Sequence, residues 1–388
     1  MDSPRADVGN WQAAPHNRWA FHHVRDILPT APIPNDPDDV LALPRAPRSF
    51  DSFSLTATDG SSLDLEGFLK ATATDACVIL ADGQIVYDYY DGGTTARTPH
   101  ILMSMSKAFT GVVAGMMQYA GLVDLERPVA DYVPEVTGTA FQGATMRQLL
   151  DMRTAIPLDG EQTRAYEAAV NWTPYEPQDR EFGIHAFIRT TTPGDAPHGG
   201  PFSYISANTD LAGWVLERAG GRTFAELASE HLWRPIGAED GASITLDRQG
   251  AARCAGGVSA TALDIARLGQ VMLDRGQRGG RTVIPQALID DIARGGDRAA
   301  WRGGEWGGPF FFISPKMSYR SGWYTVDDEP QTLFAMGVHG QNLFIDPARR
   351  VVMVKLSSLA SRIDYAALPL THAAVPQIAR IAAEAPPG

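Results

Sequence analysis

Cysteine is nearly missing from this chain of 388 residues: Cys77 and Cys254 are the only two, each set among apolar or small neighbours. Such thiols read as two free buried groups, with a single pair as the alternative; either excludes a disulfide-built scaffold, and free thiols point to a cytoplasmic location. Long apolar runs are missing as well. No stretch approaches the roughly 18 residues of a membrane-spanning helix, and Met1 to Asn10 is polar and acidic where a secretory signal would be basic and then apolar. Positive charge is not clustered. The formal charge is -12 and no run of Lys or Arg offers a track to a phosphate backbone, so nucleic acid is not an expected partner. Nine histidines make no HExxH, and zinc would need His16, His22 and His23 to find a remote ligand, so no metal is expected. Neither a GxGxxG nor a GxxxxGK[ST] phosphate loop occurs, and no cofactor is expected.

What is present suits one large composite unit or two closely packed ones, with 44 % apolar residues to fill the interior. Residues 1–50, rich in Pro and Asp, read as an irregular arm over the body formed by residues 51–388. From Ala76 to Tyr90, two apolar runs flank Asp82-Gly83, a hairpin signal because such turns need positive φ. The spacing of Met105, Phe109, Val112, Val113 and Met116 predicts a buried helix over 104–120. Further helices are predicted over 145–152, 208–219, 223–232, 260–275 and 372–383. Strands are predicted over 321–326, 332–338, 341–345 and 351–356, and residues 294–308 read as a long surface loop. Strands at both chain ends with helices between them imply an antiparallel sheet with flanking helices, and a mainly helical subdomain inserted at about 105–305.

The sharpest local feature is Ser104-Met105-Ser106-Lys107. Positions three apart share a helix face, so Ser104 and Lys107 project together while Ser106 faces elsewhere. A lysine desolvated among Met, Phe and Val loses pKa and can serve as a base toward the Ser104 hydroxyl. Two distant segments agree with such a site. In Pro201 to Asn208, Tyr204 could relay a proton, with Ser206 and Asn208 orienting lysine or substrate. Met336 to Gln341 ends a predicted strand with glycines that admit a close approach to the backbone. Residues 153–198 carry Tyr166, Trp172 and Tyr175 among acidic and proline residues. They suit either a loop over an acyl chain or an ordinary excursion anchored by aromatics.

These segments together resemble the serine beta-lactamase-like superfamily of class C beta-lactamases and penicillin-binding-protein-like esterases, and in particular its 6-aminohexanoate-dimer hydrolase branch. The resemblance runs from about residue 70 to 358. It is carried by Ser104 to Thr110, Tyr204 to Asp210, Gly256 to Arg267 and Gly340 to Pro347, with Pro15 to Trp19 and His22-His23 pointing to the narrower branch. It implies an α/β (α+β) beta-lactamase-like fold, with Ser104 as nucleophile, Lys107 as general base and Tyr204 as proton shuttle. The oxyanion hole would be formed by the N–H groups of Ser104 and of Val338 or His339. Tyr204 and Asn208 are four apart where the beta-lactamase pattern has two. Met336-Gly337-Val338 stands where that pattern has K-T-G, so antibiotic hydrolysis is not the expected role.

The expected activity is therefore serine hydrolysis of a small linear amide or ester through an acyl-enzyme. The alternatives are acyl transfer to an amine acceptor and a non-catalytic ligand-binding relative. A homodimer is compatible with the sequence.

Overall fold

The computed structural model describes residues 6–57, 59–176 and 183–384, so Met1–Arg5 of the polar N-terminus and residues 177–182 of the aromatic excursion lie outside the described residues. An antiparallel sheet of seven strands forms the frame: β1 (Thr74–Ala81), β2 (Gln84–Tyr90), β3 (Met317–Arg320), β4 (Trp323–Val326), β5 (Thr332–Gly337), β6 (Gln341–Asp346) and β7 (Val351–Ser357). Their order across the sheet is β3-β4-β5-β6-β7-β1-β2, so the last strand pairs with the first and both chain ends build one sheet. The β1–β2 hairpin turns at Asp82 and Gly83, both at positive φ, as its DG signal requires.

Strand side chains alternate between two cores. Ala76, Val78 and Leu80 face a core shared with helix α4 (Ala262–Leu273), whereas Cys77, Ile79 and Ala81 face one shared with α1 (Leu65–Ala71) and α5 (Ala367–Ala383). A sheet covered on both faces explains why β1 is buried throughout and reads as an unbroken apolar run. Between β2 and β3 lie α2 (Ser106–Tyr119) and α3 (Ser206–Gly220), which pack on each other, and then α4. Both cysteines are free and buried.

The sequence reading needs correction in four places. The excursion at 153–198 contains helices at Gly160–Ala169 and Ile184–Thr190, the first held by an Asp159–Gln162 capping box. Residues 294–308 are not simply a surface loop, because Arg298–Arg302 is a helix capped by Asp297, and Trp301 is buried beneath Phe202. The strand expected at 321–326 begins at Trp323; Ser321 and Gly322, both at positive φ, form the turn that joins it to the unanticipated β3. The final helix starts at Ala367, ahead of the expected residue 372, where Asp364 accepts from the N–H groups of Ala366 and Ala367.

Within the first fifty residues, His16–Ala20 is helical and Thr30–Ile33 pairs with Ala242–Thr245 in a second, four-stranded sheet. That sheet ends on His100–Ile101, the strand that leads into Ser104.

Candidate active site

Leu102 leaves the small sheet with its N–H donated to Val258 O at 2.8 Å, and the chain then reverses through Met103 at φ 49°. A left-handed methionine costs on the order of 1 kcal/mol or more and persists only where its surroundings fix it; here burial does so. One turn of 3-10 helix, Met103–Met105, then delivers Ser104 to the start of α2, half-buried, with Lys107 one turn further on and buried. Ser106 is turned away. Its hydroxyl is fully buried and accepts the Val258 N–H at 3.1 Å, which ties α2 to the small sheet.

Lys107 Nζ donates to Ser104 Oγ at 3.0 Å and to Ala255 O at 2.8 Å, and stands 4.6 Å from the centroid of the Tyr204 ring. Burial pushes the Lys107 pKa well below 10.5; Arg253 pushes the same way and Asp210 partly opposes it. Burial raises the Tyr204 pKa, against a hydrogen bond with Ser104 and the charges of Arg253 and Arg362. The two shifts favour a neutral amine beside a protonated phenol at the Ser104 hydroxyl. Tyr204 is fixed from outside the helix, since its N–H donates to Glu305 Oε2 at 3.0 Å and its ring stacks on Trp306 at 4.1 Å.

The end of β5 lies directly against this turn. A Cβ on Gly337 would stand 2.4 Å from Leu102 O and 2.9 Å from Ser104 N, so only glycine lets the strand approach so closely. Of the two donors considered next on the strand, His339 gives its N–H to Arg362 O at 2.9 Å, and its ring Nδ1 to Leu359 O at 2.7 Å. Val338 immediately follows Gly337, the residue whose Cβ position adjoins Ser104 N.

The remaining expected residues fall elsewhere. Asn208 is buried and bonded to Thr154 and Met152, and Ser206 is half-buried in the first turn of α3. Tyr166 and Trp172 are buried. The Tyr166 hydroxyl and Arg253 both donate to Asp210 Oδ2, while Arg253 lies over the Tyr166 and Trp172 rings. Asp210 Oδ1 accepts from Ala255 N at 2.9 Å, so this cluster braces the residue whose carbonyl receives Lys107. Tyr175 is exposed beneath Arg248. Asp210, Arg253, Glu305 and Trp306 were not singled out from sequence. The one available signal was a charge, Asp210, directly before the apolar run Leu211 to Leu216, which demands a buried partner.

Comparison with known proteins places this arrangement in context. A sequence model of the Beta-lactamase family matches residues 65–375. The chain belongs to that family. It is 36 % identical over 358 residues to the 6-aminohexanoate-dimer hydrolase of Paenarthrobacter ureafaciens, covering 90 % of this chain and 88 % of that one. A solved Bacillus anthracis structure assigned as a 6-aminohexanoate-dimer hydrolase superposes with a TM-score of 0.87 at 28 % identity, covering 96 % of each chain. A solved hydrolase described as having promiscuous acyltransferase activity shares the fold at 17 % identity, with a TM-score of 0.59 over 82 % of this chain and 98 % of its own. Within the family the chain stands close to the 6-aminohexanoate-dimer hydrolase branch, and its membership makes it a serine hydrolase of the amidase and esterase type. Among the described residues, no helix is long and apolar enough to cross a membrane.

Proposed function

We propose that the enzyme hydrolyses short linear amides, and the corresponding esters, through an acyl-enzyme on Ser104. The observation that carries this reading is Lys107, a buried amine whose hydrogen bonds go to the Ser104 hydroxyl and a main-chain carbonyl. Lys107 takes the Ser104 proton as Oγ bonds to the acyl carbon, and the N–H groups of Ser104 and Val338 stabilise the oxyanion. The C–N or C–O bond then breaks, and the departing amine or alcohol leaves with a proton delivered through Tyr204. Water repeats the sequence and frees the acid. Preference for a linear amide draws support from the 6-aminohexanoate-dimer hydrolase relative.

A phosphonate inhibitor followed by peptide mass spectrometry is expected to place the adduct on Ser104; an adduct on Ser106 would overturn the assignment. Incubating a panel of amides and esters with and without amines should give free acid as the main product. Efficient amide formation with negligible acid would leave the acyl-enzyme standing and make the protein an acyltransferase.

A further inference from the structure

Three ligating side chains from distant parts of the chain meet in the interior: His22 follows the N-terminal helix, Asp75 is the second residue of β1, and His100 opens the strand leading to Ser104. Their side chains are 3 %, 0 % and 2 % exposed. His100 Nδ1 lies 2.8 Å from Ile101 O, which accepts a proton from it, so in the neutral ring Nε2 carries a lone pair. That lone pair faces Asp75 Oδ2 at 3.4 Å. His22 Nε2 is buried with no hydrogen-bond partner and stands 3.8 Å from the same oxygen. Arg18 Nε donates to the other oxygen, Asp75 Oδ1, at 3.2 Å and so orients the carboxylate. The guanidinium also binds Asp91 at 2.8 Å, which shares its charge with a second carboxylate.

A lone pair facing a carboxylate in a site shut off from water is repulsive, and either a proton on the ring nitrogen or a metal ion between the two relieves it. An ion with tetrahedral ligands at about 2.0–2.1 Å separates its donor atoms by roughly 3.3–3.4 Å. The three donor atoms lie within 4.8 Å of one another, and two of their separations are 3.4 and 3.8 Å. Two imidazoles and one carboxylate suit zinc and its first-row neighbours rather than calcium or magnesium. The Nδ1 bond to a carbonyl is the outer-shell contact that fixes a ligating histidine.

We propose that His22 Nε2, Asp75 Oδ2 and His100 Nε2 form a binding site for a divalent transition-metal ion of the zinc type, which fastens the N-terminal arm to the sheet and to the strand preceding Ser104. His22 belongs to the histidine group noted in the sequence, but its companions are Asp75 and His100 rather than His23, whose ring stacks on Trp19 and bonds to its carbonyl. Because the ligands join distant segments, binding would add to folding stability.

The test uses the full chain stripped by a chelator and titrated with Zn2+ and, separately, Co2+. Expected are uptake of one ion per chain, the visible absorption of tetrahedral cobalt, and a rise in Tm with zinc. All three should be lost in His22→Gln and in Asp75→Asn. Should either variant fail to fold, the cobalt spectrum and Tm shift of the unaltered chain decide the matter. No uptake would overturn the site, and uptake that persists in both folded variants, or uptake without a Tm shift, would mean an adventitious ion only.

Discussion

An amine buried as Lys107 is, with a hydroxyl and a carbonyl as its partners, costs stability, and its proposed role as the base accounts for its place in the interior. Its pKa is lowered in the folded chain, so between that value and 10.5 the unfolded chain binds more protons and stability rises with pH. Lys107→Met is therefore expected to raise stability at neutral pH, on the order of 1 kcal/mol by denaturant titration, with the gain shrinking as pH approaches 10.5. Turnover should fall roughly 10²–10⁴-fold in Lys107→Met and in Lys107→Arg, since arginine stays protonated. In the unaltered enzyme, kcat/KM should climb along a limb below 10.5 as Lys107 loses its proton; near-native turnover in Lys107→Arg would sink the base assignment. Tyr204→Phe is expected to slow an amide more than an activated ester, because only the poor leaving group needs a proton in the transition state. Equal losses would restrict Tyr204 to holding the site together. Ser104, Lys107 and Tyr204 could be picked out from sequence because local spacing or flanking pattern marked each one. Trp306 and Glu305 could not, since nothing local indicates that a glycine-rich stretch folds back onto Tyr204.

At the scale of elements, the site is a junction between the turn entering α2 and the end of β5, and Gly337 sets their separation. Gly337→Ala should push the strand off the turn, costing about 1–3 kcal/mol from overpacking. Losing alignment of one oxyanion donor should also lower kcat roughly 10²-fold or more. Thermal melts read the first effect and single-turnover acylation the second; normal acylation would show that the Val338 N–H is not used. Periodicity found the long apolar elements, β1, β2, β5 to β7 and α2, because each buries a face or both faces against one partner. It missed β3 and the helices at 160–169 and 184–190. Those elements are short or polar, and capping or tertiary contacts define them more than an apolar stripe does.

For the whole molecule, the arm at the N-terminus packs against the segments that flank the candidate site. Trp11 is 1 % exposed, donates its indole N–H to Trp172 O at 3.0 Å, and meets the rings of Phe21 and Trp172 edge-on. Phe21 in turn accepts the Ile101 N–H through its carbonyl at 2.9 Å, and its ring packs on His100 and His339. Thus one residue of the arm touches the strand leading to Ser104 and the segment following Val338. Pro and Asp content marked residues 1–50 as irregular, and composition alone carried no hint of these contacts, which depend on partners far away in the sequence. Removing the indole leaves a cavity and an unpaired Trp172 carbonyl, so Trp11→Ala should cost about 3–5 kcal/mol, read as a lower denaturant midpoint. If the arm also positions the site, the folded variant should acylate Ser104 more slowly at a temperature well below its melting transition. An unchanged acylation rate at full folding would confine the arm to stability.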